Sequence, residues 1–194
     1  MRVVQLATPG GLENLQVVDR EEAGAPAAGE ILVRVRASSL NYHDYAVVAG
    51  MIPTADKRIP MSDGAGVVEA VGEGVAEFAV GDEVVSCFFP AWHDGAATIG
   101  DFSTTPGDGV DGYARERVVR PASWFTHAPK GYTPAQAATL TTAGMTRWTA
   151  STVASRRTSV SACASDVPRA RQIPTVLNMP CYLQEKREED KMIE

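Results

Sequence analysis

Residues 61–75, MSDGAGVVEAVGEGV, place four glycines around an alternating run of valine and alanine. A dinucleotide-binding loop needs the spacing G-x-G-x-x-G between a strand and a helix. After Gly64 and Gly66 the third glycine would have to be residue 69, which is Glu69. The VVEAV run that follows is rich in valine and typical of a strand. The segment is therefore predicted to be a structural strand with flanking turns, and a phosphate-binding loop is excluded here.

A formal match to the dinucleotide spacing occurs later, at residues 107–112, GDGVDG. No apolar strand precedes this match, and its two aspartates would repel the phosphates of a dinucleotide. We therefore predict a flexible loop at residues 107–112. Because neither segment fits, the sequence is predicted to contain no phosphate-binding βαβ unit.

Short alternating runs separated by turn residues continue along the first part of the chain. The clearest is EILVRVRA, in which Ile31, Val33 and Val35 share one face. Strands are predicted at Arg2–Leu6, Leu15–Asp19, Glu30–Ala37, Ala65–Val71, Glu83–Phe88 and Tyr113–Val119. Many short strands with turn signals favour a small barrel or sandwich.

Two helices are predicted between and after these strands. The first covers Asn41–Ala49. The second starts at Thr133, because Thr133 can cap the helix, Pro134 suits its first position and Gln136 can reach back to the cap.

Composition narrows the class of protein. The net charge of −6 argues against nucleic-acid binding, which needs clustered Lys and Arg. No apolar run approaches the roughly 18–20 residues of a membrane span, and no secretory signal is recognisable. The three cysteines are odd in number and widely spaced, which predicts neither a disulfide framework nor a zinc knuckle. We expect a reducing, cytoplasmic location.

The chain changes character near residue 150. All 17 glycines lie before that point, and residues 151–194 show no sustained apolar period. This tail ends in the charge run EKREEDKMIE, so we predict that it is disordered.

The order of motifs up to Ala150 resembles the N-terminal GroES-like domain of the medium-chain dehydrogenase/reductase superfamily, which includes zinc-type alcohol dehydrogenases and zinc-free quinone oxidoreductases. The segments that carry the resemblance are 30–50, 59–85, 111–119 and 133–148, of which G-A-G-V-V-E-A-V-G-x-G-V followed by V-G-D-x-V is very specific. The FFP-x-W segment, Phe88–Trp92, is similar to one branch of zinc alcohol dehydrogenase-like proteins. The resemblance covers nearly all of residues 1–150 and none of 151–194.

The resemblance implies a mainly β chain: a partly open GroES-like barrel with short helices over residues 1–132, then a helix over 133–150 that leads to a Rossmann domain. That domain would carry NADP or NAD, and we predict that it is absent here, with 151–194 an unrelated tail. The chain is then a truncated oxidoreductase-family protein for a small-molecule substrate, inactive alone and prone to self-association through its exposed cleft. The alternative is a non-catalytic remnant or binding module.

The resemblance also predicts that zinc is not used. The positions of the family's three zinc ligands correspond here to Asn41, Ser62 and Thr142. None of these can supply a thiolate or an imidazole, which are the usual zinc ligands together with carboxylates. His43 and Asp44 are adjacent and are not expected to face a metal as a set.

The zinc-free relatives imply roles for the same segments. Asn41 would hydrogen-bond the substrate carbonyl, while Tyr42 and His43 are candidate proton donors and Asp44 pairs with His43 at the cleft floor. Thr142 and Thr146 would face the cofactor. Other side chains have simpler structural roles as alternatives: packing or pocket wall for Tyr42 and Trp92, surface positions for His93 and His127, and a buried apolar role for Cys87.

Overall fold

The computed structural model describes residues 1–92, 102–144 and 146. Met1–Ala91 and Asp101–Ala143 form one unit. Trp92, Gly144 and Thr146 are the described members of a second unit. His93 and the tail predicted to be disordered, 151–194, lie outside the described residues.

Antiparallel strands make up most of the unit. Their bounds are Arg2–Leu6 (β1), Leu15–Asp19 (β2), Glu30–Ala37 (β3), Ala65–Val71 (β4), Glu83–Ser86 (β5), Arg117–Pro121 (β6) and Phe125–His127 (β7). β1 pairs with β2, and the other five strands form a sheet in the order β6-β3-β4-β5-β7. Because β6 and β7 lie at opposite ends of this sheet and are not paired, the sheet is not closed. The predicted mainly β, partly open GroES-like fold is confirmed.

The first four strands have the predicted bounds, and the later ones differ. β5 ends at Ser86 rather than Phe88: the amide of Cys87 still donates to the carbonyl of Trp124, but Trp124 belongs to a short 3-10 helix, Ala122–Trp124, and not to a strand. The predicted start of β6 at Tyr113 is wrong, since the amides of Tyr113 and Ala114 bond the carbonyls of Met61 and Pro60. The three-residue β7 was not predicted.

The alternation in β3 decides which side of the sheet is buried. Ile31 and Val33 are fully buried, whereas Arg34 and Arg36 are exposed. The core beneath the sheet is apolar and includes Ile31, Val33, Val68, Phe78, Val84, Tyr113, Val118, Ala122 and Phe125.

The glycines of residues 61–75 are structural, as predicted. A Cβ on Gly66 would lie 2.2 Å from the carbonyl oxygen of Arg34 on the paired strand. A Cβ on Gly64 would lie 2.6 Å from the ring of Tyr113. These two glycines therefore permit close approach within the sheet and core, whereas Gly74, with φ of +80°, serves a turn.

Two short α-helices lie in different places. Tyr42–Val48 (α1) packs against Leu6 and Leu15 of the β1–β2 pair. It lies within the predicted span and has a capping box between Asn41 and Asp44. Pro134–Ala138 (α2) packs against β3, β4 and β5 and has the predicted capping box between Thr133 and Gln136. A π-helical segment, Leu140–Gly144, follows α2. No helix among the described residues is long and apolar enough to cross a membrane.

Candidate active site

Three distant segments meet at the carboxylate of Asp63, just before β4. Asn41, which caps α1, donates from Nδ2 to Oδ2 of Asp63 at 2.9 Å. Thr142, on the π-helical segment, donates from Oγ1 to Oδ1 at 2.6 Å. Asp63 is 0% exposed, whereas Asn41 and Thr142 are half-buried. Each oxygen of the buried Asp63 carboxylate thus accepts a hydrogen bond from a polar side chain that is itself less buried.

Asp44, on α1, is the second buried carboxylate of the site. Its Oδ1 accepts from the backbone N and the Oγ of Ser62, at 2.8 and 2.9 Å. Its Oδ2 accepts from the backbone N of Asn41 at 2.8 Å and from its Nδ2 at 3.3 Å. Asp44 therefore ties the first turn of α1 to the segment that carries Asp63.

His43 lies between this carboxylate and the 107–112 loop. Its Nε2 lies 3.0 Å from Oδ2 of Asp108, and its Nδ1 is 3.9 Å from Oδ1 of Asp44, beyond hydrogen-bond range. The predicted pair of His43 with Asp44 is therefore an ion pair, and the predicted hydrogen bond between them is wrong. Adjacent side chains of a helix point in different directions. His43 therefore forms its hydrogen bond with Asp108 and not with its neighbour Asp44.

The 107–112 loop is packed against the site, which the sequence did not suggest. Asp108 is buried, and its Oδ1 also accepts from the backbone N of Gly109. A Cβ on Gly112 would lie 2.2 Å from the carbonyl oxygen of Met61. The loop is thereby fixed against the segment that precedes Ser62.

The pKa values of Asp63 and Asp44 are shifted in opposite directions by their surroundings. Burial raises the pKa of Asp63 to about 6, although the hydrogen bonds from Thr142 and Asn41 act to lower it. Burial also acts to raise the pKa of Asp44, but His43 and the hydrogen bonds from Asn41 and Ser62 outweigh it and hold this pKa below its usual value. Of these two acids, Asp63 is therefore the one whose pKa lies nearer to neutral pH.

His43 is protonated at neutral pH. Burial alone would lower its pKa, but the carboxylates of Asp108 and Asp44 outweigh burial and raise the pKa to about 9. The buried imidazolium therefore neutralises part of the charge of the two acids beside it.

The free energy of unfolding should fall as pH rises through the range set by His43. The folded pKa of about 9 exceeds the ordinary 6.5, so the stabilisation is fully present below about 6.5 and is lost as pH passes 9. The shift corresponds to about 3 kcal/mol. Urea unfolding between about pH 6 and about pH 10 measures it. The variant His43→Gln should lose this part of the slope, and a slope unchanged in the variant would assign it to another group.

The other predicted residues occupy different environments. Tyr42 is 65% exposed and stacks loosely on Tyr45, with ring centroids 6.1 Å apart, so it does not pack into the core. Cys87 is half-buried rather than buried, and burial raises the pKa of its thiol to about 11. His127 is exposed, as predicted. Trp92, half-buried, and Thr146, exposed, belong to the second unit.

Two residues of the site were not predicted as site residues. The sign that could have found Asp63 is its place in the sequence directly after Ser62, which corresponds to a zinc-ligand position of the family. Asp108 gave no such sign, because its partner His43 is 65 residues away in the chain. Of the predicted site residues, the structure brings together Asn41, His43, Asp44 and Thr142.

The sequence profile of the alcohol dehydrogenase GroES-like domain matches residues 27–130. The chain belongs to this family, within the medium-chain dehydrogenase/reductase superfamily. The matched GroES-like region contains Asn41, Asp44 and Asp63, and the π-helical segment with Thr142 follows it.

Some relatives of this GroES-like chain are named as alcohol dehydrogenases or oxidoreductases, and others are named as polyketide synthases. A zinc-type alcohol dehydrogenase-like protein of Schizosaccharomyces pombe is 39% identical over 142 residues, 71% of this chain and 40% of the relative. The solved structure of a cobalt- and zinc-bound thermostable alcohol dehydrogenase from Pyrobaculum aerophilum is 32% identical, with a TM-score of 0.67 over 80% of this chain and 49% of that one. A quinone oxidoreductase of Pseudomonas syringae is also 32% identical, with a TM-score of 0.58 over 75% of this chain and 38% of that one. The chain thus spans less than half the length of these relatives.

Proposed function

We propose that this GroES-like chain is the substrate-binding part of a zinc-independent oxidoreductase that transfers hydride between NAD(P)H and an alcohol or carbonyl, enone or quinone compound. The observation that carries the proposal is the meeting of Asn41, Ser62 and Thr142 around two buried carboxylates. These are the positions that correspond to the zinc ligands of the wider family. Here they form a cluster of hydrogen-bonding side chains.

The donor atoms of this cluster do not suit zinc. Zinc sites are built from thiolates, imidazoles and carboxylates, whereas Asn41, Ser62 and Thr142 offer an amide and two hydroxyls. Those groups already donate to Asp63 and Asp44, whose oxygens they occupy. Within the described part of the chain, no group of three or more His, Cys, Asp and Glu side chains could hold a metal ion.

The nicotinamide cofactor is implied by the family, and it would supply or accept the hydride. Thr142 and Thr146 are the residues of this chain that we propose face it. All pairings between the named strands of the described residues are antiparallel, and residues 151–194 contain no glycine. Both observations support the proposal that these 194 residues do not hold a dinucleotide and are inactive without a cofactor-binding partner segment.

The chain's own residues would bind and orient the substrate. Asp63 fixes the side chains of Asn41 and Thr142, which are accessible enough to meet a ligand. Asp44 and His43 hold the first turn of α1 in place. Leu40, Tyr42 and Tyr45 are exposed beside them, which supports the proposal that this face is apolar enough to self-associate, to be tested by light scattering.

Ligand titration followed by NMR tests the proposal on the full 194-residue chain. A panel of simple alcohols, ketones, enones and quinones should shift the amide signals of Asn41, Ser62 and Thr142. NADPH and NADH absorbance in the same mixtures should stay constant. Turnover of either cofactor would contradict inactivity of the chain alone. A panel without effect at these three residues would contradict the substrate role and favour the non-catalytic binding module.

A further inference from the structure

The amide of Asn41 points its donors into the protein. Its Nδ2 lies 2.9 Å from Oδ2 of Asp63 and 3.3 Å from both Oδ2 of Asp44 and the carbonyl oxygen of Ser39. An amide nitrogen has two N–H donors, so these acceptors occupy both of them. The other polar atom of the amide is Oδ1, and a carbonyl oxygen has only lone pairs. Towards a ligand, Asn41 therefore offers an acceptor.

The hydroxyl of Thr142, like the amide of Asn41, donates its hydrogen bond into the protein. Its single proton is donated to Oδ1 of Asp63 at 2.6 Å. A hydroxyl has one donor and two lone pairs, so further bonds to this oxygen must come from a donor. Asp63 is 0% exposed, and a ligand would meet Asn41 and Thr142 rather than the carboxylate.

We propose that ionised Asp63 makes this site select a substrate by its hydroxyl group, an alcohol or a hydroquinone, over the corresponding carbonyl compound. A carbonyl oxygen has only lone pairs and would face the acceptors of Asn41 and Thr142. A protonated Asp63 can donate to Thr142, which releases the Thr142 proton for a carbonyl oxygen. Asp63 is thus a positioning residue for specificity, and the inference rests on the proposed function because it takes this cluster as the substrate site.

The surroundings of Asp63 make this change accessible near neutral pH. Burial raises its pKa to about 6. The charged side chain that acts on it is Asp44 from α1, which is partly neutralised by His43, itself paired with Asp108. The other partners, Asn41 from the start of α1, Thr142 from the π-helical segment and the Ser38 hydroxyl on its backbone oxygen, are uncharged. Between about pH 5 and about pH 8 His43 stays protonated and Asp44 ionised, so Asp63 is the one of these three groups that changes.

A matched pair of ligands tests the inference. 1-Phenylethanol and acetophenone have nearly the same shape, but the first carries a hydroxyl group where the second carries a carbonyl group. Titrated into the full chain at about pH 8, the alcohol should bind about fivefold more tightly, the value of one hydrogen bond. At about pH 5 this preference should disappear or reverse. NMR shifts at Asn41 and Thr142 show that binding occurs at the site.

Three variants separate Asp63 from its neighbours. Asp63→Asn should make the ratio of the two affinities independent of pH. Thr142→Val keeps the shape and should abolish the preference for the alcohol, and Thr142→Ser should restore it. Binding at the site with equal affinities at both pH values would overturn this inference and leave the proposed function standing. If neither compound binds there, the proposed function fails and the inference fails with it. The wild-type pH comparison and the Thr142 variants decide the matter even if Asp63→Asn does not fold.

Discussion

Asp44→Asn should lower the free energy of unfolding by about 3–5 kcal/mol, the cost of breaking a buried ion pair. The carboxylate of Asp44 accepts from the backbone and side chain of both Asn41 and Ser62. An asparagine amide would turn one acceptor oxygen into an NH₂ group that faces N–H or O–H donors. Because the pKa of Asp44 is lowered in the folded chain, its stabilisation is present above its ordinary pKa and is lost only as pH falls through the lower folded value.

Asp63→Asn is the matched control and should not lower the free energy of unfolding at about pH 8. The folded pKa of Asp63 is raised from 3.8 to about 6, so its stabilisation is complete below 3.8 and is lost as pH rises through 6. Above pH 6 the buried charge is a cost that asparagine removes, and the Thr142 hydroxyl can reverse to accept. Guanidinium unfolding of both variants measures the difference. Equal losses would contradict the assignment of opposite roles to the two acids.

Gly66→Ala should lower the free energy of unfolding by about 3 kcal/mol, at the upper end of overpacking costs. Gly66 pairs with Val35 on one side and Val84 on the other, in the centre of the sheet. The added Cβ would lie 2.2 Å from a backbone oxygen of β3, which cannot rotate away as a side chain can. The paired strands would have to separate, so we expect lost stability without a gain elsewhere.

Gly74→Ala is the control for the glycine effect. Gly74 has φ of +80° and nothing within 4 Å of an added Cβ, so the change meets only backbone strain. We expect a loss of about 1 kcal/mol. Thermal unfolding of both variants tests the ranking, and a loss in Gly74→Ala as large as in Gly66→Ala would refute the close-approach argument.

Much of the fold could be predicted because its signals are local. The alternation of EILVRVRA fixes which face of β3 is buried, and the Thr133–Gln136 box fixes the start of α2. The bounds that were missed depend on distant partners. Tyr113 does not begin β6 because its amide bonds to Met61, a contact that no local pattern reveals.

Residues of the site could be predicted from the sequence only where a motif of the family marks their positions. Asn41 and Thr142 were found in this way, and the structure places both on Asp63. The direction of their hydrogen bonds could not be predicted, because it depends on a carboxylate contributed by a third segment. The contact of His43 with Asp108 is likewise set by the path of the 107–112 loop rather than by its composition.

Zinc binding tests the central claim most directly, that hydrogen-bonding side chains replace the metal ligands of the family. The full chain would be incubated with zinc, desalted and weighed by native mass spectrometry, beside Asn41→Ala and Thr142→Val. We predict the metal-free mass for wild type. One zinc ion per wild-type chain, lost in both variants, would show that Asn41 and Thr142 belong to a metal site and would contradict the account.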